Sequence, residues 1–151
     1  MDKKEEKLIK KTIAELLKLL GIEGDFSFSA DSEVIDVVLE TEDSGIVIGY
    51  HGEVLESLQL ILSLCVSKKI GRFVRISVEI GDYKKNRTDW LEGVALQTKE
   101  RVLLEKIEIP LPNLRSWERR IVHLLLQEDK DVISESVGVG KDRTLVIKPR
   151  E

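Results

Sequence analysis

Two glycines separated by two residues, in the segment Gly49-Tyr50-His51-Gly52, make the part of this chain best suited to bind a ligand through its backbone. Glycine lets the main chain come close to a flat or charged group. The amphipathic run that follows predicts a helix, and the first amides of a helix have no partner within it. Such amides attract an anion, a phosphate in particular. The same pattern also fits an ordinary turn between two helices that needs glycine only for its backbone angles.

An arginine and a histidine four residues apart, Arg119 and His123, are the second group whose spacing suggests a site. Side chains with this spacing share one face of a helix. Without further context the pair also fits a solvated helix face, on which Glu118, Arg120 and Glu128 offer ionic partners.

The elements that must position the glycine loop follow from the apolar spacing in the first half of the chain. Six elements are predicted in the order α-β-β-α-α-β: a helix over 3–20, strands over 26–29 and 34–40, a short helix over 44–48, a long helix over 54–69 and a strand over 73–80. Asp31 and Ser32 lie between the first two strands, which form a hairpin-type pair. Ser44 is predicted to cap the short helix. The buried face of the long helix is predicted to hold Leu55, Leu58, Ile61, Leu62 and Cys65.

The second half of the chain is predicted to form a compact α/β unit around the helix that carries the arginine and the histidine. Four elements are predicted: a long helix over 83–106, a helix over 117–127, and strands over 132–137 and 144–148 that pair through a glycine-rich turn. Pro110 and Pro112 end the long helix in an extended segment. Ser116 or Asn113 can cap the helix that follows.

The two motifs in this order resemble the bacterial Jag family (SpoIIIJ-associated proteins). The segment Ile80-Gly81-Asp82-Tyr83 between them and the closing segment from Gly140 to Pro149 add to the resemblance, which starts near Lys7. Members of that family join a type II KH domain to an R-3-H domain, named for its Arg-x-x-x-His signature. The extra N-terminal domain common in the family is expected to have no counterpart in this chain.

This resemblance implies an α+β fold with three parts: a type II KH domain over 1–82, a linking helix over 83–106 and a small α/β R-3-H domain over 107–151. A KH domain clamps the backbone of about four nucleotides with its Gly-x-x-Gly loop. The loop from Gly49 to Gly52 would then hold a sugar-phosphate backbone, beside a groove for bases that includes Ile48. Tyr50 could stack on a base or sugar, and His51 could donate to a phosphate when protonated.

The R-3-H resemblance gives the second motif a role. It implies that Arg119 donates to a phosphate or a base edge and that His123 stacks or hydrogen-bonds there. Lys141 and Arg143, on the predicted C-terminal hairpin, could extend the same surface. Two linked sites of this kind would raise a weak affinity through bivalency. Replacing both loop glycines by aspartate is expected to remove most binding without unfolding the chain.

Charge is distributed unevenly along the 151 residues, whose formal net charge is −4. Residues 1–67 carry 6 basic and 14 acidic side chains, whereas residues 68–151 carry 18 basic and 14 acidic ones. Phosphate contacts need Lys and Arg, so the basic surplus of the second part permits nucleic-acid binding despite the acidic total. We expect a modest affinity.

Composition and motifs argue against several other functions. A single cysteine excludes an intramolecular disulfide and a cysteine metal cluster. The two histidines belong to no recognisable nucleophile or metal constellation, and the sequence has no nucleotide-binding P-loop. No apolar run approaches the length of a membrane span, and the N terminus lacks the apolar core of a signal peptide. We therefore expect a cytoplasmic protein that inserts in no membrane, uses no cofactor and is not an enzyme.

Single-stranded RNA is the partner that the two motifs favour, and the resemblance implies a post-transcriptional regulator. Two alternatives stay open. The protein could be an interaction adaptor, which Tyr50, His51 and the acidic first half favour. For such an adaptor the resemblance implies a role in cell envelope or division control and pairing with a smaller KH-domain protein. Single-stranded DNA is the other alternative, because no residue is an evident reader of the 2′-hydroxyl.

Overall fold

The computed structural model describes residues 2–31 and 33–151, and within this range the chain forms two compact units. The first unit ends at Tyr83, and the second runs from Lys84 to Glu151. Each unit has its own apolar core. The predicted α+β class is confirmed. Ser32, which the sequence places between the first two strands, lies outside the described residues.

The first unit follows the predicted order α-β-β-α-α-β. Its elements are α1 (Lys3–Leu19), β1 (Asp25–Ala30), β2 (Val34–Glu40), α2 (Ser44–Ile48), α3 (Glu53–Ile70) and β3 (Arg75–Ile80). One 3₁₀ turn, Tyr50–Gly52, separates α2 from α3. This turn contains the two inner residues of the glycine loop.

The strands of the first unit form one sheet in the order β1-β2-β3. β1 and β2 are antiparallel, with Phe28 opposite Val37. β3 runs parallel to β2, with Val37 opposite Val78, because α2 and α3 return the chain to the end of the sheet where β2 begins. Alternate residues of β2 and β3 are buried in the core: Ile35, Val37, Leu39, Ile76, Val78 and Ile80.

α1 and α3 complete the first core with one apolar face each. The members from α1 are Ile9, Ile13 and Leu17, and those from α3 are Leu55, Leu58, Leu62 and Val66. The predicted face of α3 is therefore wrong in part, since Ile61 is 41% exposed and Cys65 is only half-buried. The buried face is instead rotated toward Ser63, a polar residue that is itself buried.

Three polar side chains of α3, spaced four residues apart, accept hydrogen bonds from backbone amides along the outer edge of the sheet, in and just before β3. The acceptors are Gln59, Ser63 and Ser67, and the donors are the amides of Val78, Ile76 and Val74, at 2.9, 2.8 and 2.9 Å. Residues four apart lie on one face of a helix, and every second amide of a strand points to the same side. The polar row on α3 therefore satisfies backbone donors that the sheet itself leaves unpaired.

The second unit packs two helices on a small antiparallel sheet. Its elements are α4 (Tyr83–Glu105), β4 (Ile109–Leu111), α5 (Ser116–Leu126), β5 (Val132–Val137) and β6 (Thr144–Pro149), and the strand order is β4-β6-β5. The buried side chains of α4, among them Leu91 and Val102, share a core with Val122 and Leu126 of α5. The linking role of α4 and the division of the chain at residues 82 and 106 stay predictions.

Two predicted helix caps are wrong. Ser44 is the first residue of α2, and the N-cap position belongs to Asp43. Likewise α5 starts at Ser116 with Arg115 as its N-cap, so neither Ser116 nor Asn113 takes that position. In α5 a carboxylate inside the helix satisfies the N-cap amide instead, as described below.

Candidate nucleic-acid interface

At its first position the glycine loop has backbone angles that are favourable only for glycine. Gly49 has φ 71° and ψ −174°, and Gly52 has φ 75° and ψ 16°. Between them His51 takes the left-handed conformation, with φ 49° and ψ 32°. The amide of Gly52 donates to the Gly49 carbonyl at 3.3 Å, and the amide of Glu53 donates to the Tyr50 carbonyl, so the loop closes as a tight turn.

Both glycines also lie too close to their neighbours to carry a side chain. A Cβ atom on Gly49 would overlap Cγ2 of Val54, and one on Gly52 would lie 2.8 Å from the Tyr83 hydroxyl oxygen. Aspartate at these positions would therefore disturb the fold as well as the site. The expectation that a double aspartate variant stays folded is not supported by this geometry, and the inner residues are better positions for mutation.

The inner residues present their side chains next to each other. Tyr50 is 77% exposed, and its ring stacks on the imidazole of His51 with 4.0 Å between the ring centres and 15° between the planes. Ile48, at the end of α2, is half-buried and packs against the core. In the described part of the chain the turn hydrogen bonds use the amides of Gly49, Gly52 and Glu53, and none uses the amide of Tyr50 or His51.

The electrostatic surroundings of the loop are acidic. Residues 19–67 contain no Lys or Arg and ten Asp or Glu residues. Glu53 and Glu56 lie in the first turn of α3, where carboxylates compete with an incoming anion for the positive end of the helix. Five of these ten carboxylates line an open cleft close in sequence to α2, whose lining residues are Glu23, Gly24, Asp25, Glu40, Thr41, Glu42 and Asp43. The loop thus offers amides and rings to a ligand but no cationic side chain of its own.

The arginine of the second motif is held at the start of α5. Arg119 Nη1 donates to the Leu114 carbonyl at 2.7 Å, and Nη2 donates to the Ser116 hydroxyl at 3.2 Å. These bonds tie the guanidinium back to the segment before the helix. Arg119 is half-buried, whereas its neighbour Arg120 is exposed. The second motif therefore differs from the glycine loop in having cationic side chains, those of Arg119 and Arg120.

A buried carboxylate fixes the start of α5. Glu118 is fully buried, and its Oε1 accepts from Nε of Arg87 on α4 at 2.6 Å. Its other oxygen accepts from the amide of Arg115, the N-cap residue, at 2.7 Å. The guanidinium of Arg87 also lies 4.2 Å from the ring centre of Trp90. A charge can be buried at such a site because an ion pair and a backbone donor both satisfy it.

The alternative interpretation of the second motif, a solvated helix face on which Glu118 offers an ionic partner, does not hold for Glu118, because this residue is fully buried. The available signal was its position three residues into the helix, where a glutamate commonly accepts from the N-cap amide. Its partner Arg87 lies 31 residues earlier in the chain and carries no local signal.

The histidine of the second motif bonds to the neighbouring strand rather than to Arg119. His123 Nδ1 and the Ser134 hydroxyl of β5 lie 2.8 Å apart. Lys141 and Arg143 are exposed in and just after a 3₁₀ turn, Gly140–Asp142, between β5 and β6. Among the described residues no hydrogen bond or ion pair joins either of them to α5. Their place in one surface with Arg119 and His123 stays a prediction.

Other kinds of site find no support in the described range. No group of His, Cys, Asp and Glu there could hold a metal ion. None of the helices described for residues 2–31 and 33–151 is both long and apolar enough to cross a membrane.

Comparison with known families matches both units. Residues 6–80 match the KH domain of the KhpA/KhpB family, and residues 89–149 match the R-3-H domain. The chain belongs to the family of proteins that join such a KH domain to an R-3-H domain, as the resemblance to Jag proteins predicted.

Curated relatives are longer than this chain, which spans between about two fifths and two thirds of their length. The RNA-binding protein KhpB of Clostridium symbiosum is 30% identical over 85% of this chain, which spans 58% of that protein. The protein of the same name from Streptococcus pneumoniae is 27% identical over 85% of this chain and 39% of its own length. For the one from Bacillus subtilis, the figures are 27% identity, 93% of this chain and 67% of that protein.

Proposed function

We propose that this protein binds single-stranded RNA through both domains, with the KH loop on the sugar-phosphate backbone and the R-3-H helix on a neighbouring stretch. The observation that carries the proposal is the joint occurrence of the two nucleic-acid-binding domains, in a chain whose relatives are named RNA-binding proteins. Neither domain defines an enzyme class, and we propose a binding role without catalysis.

On the KH side the contacts would come from backbone and rings. The amides of Tyr50 and His51 point to a ligand in this proposal, because the other loop amides close the turn. The exposed Tyr50 ring adds a stacking surface, which holds a base of any sequence. A short stretch of RNA could therefore bind with little sequence preference at this end.

On the R-3-H side the contacts would be ionic. Arg119 uses part of its guanidinium on Leu114 and Ser116, and the remaining N–H groups can donate to a phosphate or a base edge. Exposed Arg120 lies next to it, and His123 offers an imidazole one turn further along the helix. This arrangement supports a larger dependence of affinity on salt for α5 than for the loop.

Fluorescence anisotropy with labelled single-stranded RNA, measured as a function of salt, tests the proposal. Tyr50→Asp/His51→Asp should weaken binding strongly, because it adds two negative charges where a phosphate would lie. Tyr50→Ser/His51→Asn is the matched control, since it removes the same rings without charge and asparagine tolerates the left-handed backbone at position 51. Equal binding by wild type and the aspartate variant would refute the role of the loop.

The contribution of the R-3-H helix is measured in the same titrations. Arg119→Ala should lower the slope of log affinity against log salt by about 0.7, the value for one lost single-strand phosphate contact. Ser116→Ala removes a hydrogen bond to the guanidinium but keeps the charge, and its slope should equal that of wild type. DNA of the same sequence as competitor decides between RNA and single-stranded DNA.

A second binding role is favoured by an exposed apolar stripe on α3. Its members are Val54, Leu60, Ile61 and Leu64, between 41% and 60% exposed and on one side of the helix. An apolar stripe of this kind in a soluble domain indicates a protein interface. We propose that a smaller KH-domain protein packs there, as the match to the KhpA/KhpB family suggests.

Sedimentation of the chain mixed with such a KH-domain protein tests this interface. Leu60→Lys/Leu64→Lys should abolish the complex. The control is Leu104→Lys, at a position that is 83% exposed on α4. A complex that survives the double lysine variant would place the partner elsewhere.

A further inference from the structure

Four cations of the KH unit follow one another at the end of α3 that lies away from the glycine loop. Residues 19–67 hold no Lys or Arg, whereas the next eight residues hold four: Lys68, Lys69, Arg72 and Arg75. α3 has 18 residues, which corresponds to a length of about 27 Å. The two ends of one helix thus have opposite electrostatic character.

An exposed aromatic ring lies among these cations. Phe73 is 77% exposed, as much as Tyr50 in the loop. It was predicted to begin the third strand, but β3 begins at Arg75. We name the five residues Lys68, Lys69, Arg72, Phe73 and Arg75 the basic corner.

The backbone holds the ring in the exposed position. Gly71 ends α3 in the left-handed conformation, with φ 78°, and its amide donates to the Ser67 carbonyl at 2.9 Å. Val74 is fully buried, and its amide donates to the Ser67 hydroxyl. Phe73 lies between these two hydrogen-bonded residues, and its side chain is exposed to solvent. Arg72 is fixed as well, because its Nη2 lies 2.6 Å from a carboxylate oxygen of Glu5.

The ion pair between Arg72 and Glu5 brings a further set of cations close. Glu5 lies in the first turn of α1, where Lys3, Lys4 and Lys7 are exposed. The dipole of α3 accounts for lysines in its last turn, namely Lys68 and Lys69. It accounts neither for the arginines beyond the helix nor for an aromatic ring held in solvent.

We propose that the basic corner is a second binding site for single-stranded nucleic acid on the KH domain, in which a base stacks on Phe73 and phosphates meet Lys69 and Arg75. Stacking on aromatic rings beside a cationic groove is the common mode of single-strand binding. The inference rests on the proposed function, since it assigns further contacts to the same RNA. It also places phosphate contacts of this domain beside cationic side chains, which residues 19–67 lack.

The test uses the full chain and a labelled single-stranded RNA that carries 2-aminopurine, whose fluorescence falls when the base stacks. Phe73→Ala should weaken binding about 5-fold or more and reduce the quenching, with an unchanged salt slope. Phe73→Tyr should restore both. Lys69→Ala/Arg75→Ala should keep part of the quenching and lower the salt slope by about 1.4, for two lost phosphate contacts. Each substituted side chain is exposed, so the variants should fold.

Leu19→Ala is the control, since Leu19 is 83% exposed in the same unit and lies outside the corner. If the corner variants bind as wild type while Tyr50→Asp/His51→Asp does not, the corner is refuted and the proposed function stands. If the wild-type protein binds no RNA at low salt, both the basic corner and the proposed function are refuted. If the corner variants lose binding and Leu19→Ala binds as the wild-type protein does, the result supports the basic corner as a binding site.

Discussion

The glycine loop and the start of α5 position their candidate binding groups by different means. The loop is shaped by backbone: Gly49 and Gly52 adopt positive φ, and no Lys or Arg occurs from residue 19 to residue 67. The start of α5 is shaped by side chains, through the buried pair of Arg87 and Glu118. The shape of the loop therefore depends on its two glycines, whereas the shape of the α5 start depends on an ion pair with another helix.

The largest expected effect in this comparison comes from Glu118→Ala. In this variant the largely buried guanidinium of Arg87 loses the carboxylate with which it pairs. The amide of Arg115 also loses its hydrogen-bond acceptor. Breaking a buried ion pair in this way costs about 3–5 kcal/mol. Chemical denaturation followed by a probe in each unit should show the loss in the second unit. Glu128→Ala, at an exposed position, is the control, and a cost equal to that of the control would contradict the role of Glu118.

A smaller effect is expected from Gly49→Ala in the loop. Alanine at φ 71°, with a Cβ atom that would overlap the side chain of Val54, should destabilise the first unit, by about 1–3 kcal/mol for a strained backbone position. Gly45→Ala in α2 is the matched control, because its Cβ would meet open space. In a helix the control should stabilise the protein by about 0.5–1 kcal/mol. If the two variants have the same Tm in thermal melts, the fold does not require glycine at position 49.

The smallest effect is expected from pH, and it also belongs to the second unit. A hydrogen bond from Lys99, at 2.5 Å, holds the pKa of Asp129 below its ordinary value, with help from the amides of Asp131 and Val132. A lowered folded pKa adds stability that is present above the ordinary value, about 4, and is lost as pH falls through the folded value. The curve of Tm against pH should therefore flatten on its acid side in Asp129→Asn.

Asp131→Asn provides the comparison for that curve. Asp131 is 62% exposed and lies 3.9 Å from Lys99, too far for a hydrogen bond. Its acid limb should match that of wild type. The same flattening in both variants would show that general charge, rather than the bond between Lys99 and Asp129, sets the acid sensitivity.

Local signals made the fold of this protein predictable. Apolar spacing gave the order α-β-β-α-α-β and the C-terminal strand pair, because each element buries its own periodic face. The position of the glycine loop between two helices was also predicted. The roles of the candidate residues in RNA binding stay predictions, because spacing shows which residues share a face and not what they bind.

Features that depend on distant partners were not predictable. Glu118 is buried because Arg87, 31 residues earlier in the chain, meets it from another helix. The caps of α2 and α5 were mispredicted for a local reason. A side chain suited to capping near a helix start does not decide which residue becomes the N-cap. Ile61 was assigned to the core because apolar character alone does not show which way a helix is rotated.

The polar row of α3 along β3 has a consequence for how this domain can associate. A strand at the edge of a sheet normally offers unpaired amides to any extended chain that arrives, which is a route to aggregation. Gln59, Ser63 and Ser67 already occupy three of those donors. The KH unit is therefore protected against strand addition on this side, and a partner that meets this edge must contact side chains instead of extending the sheet.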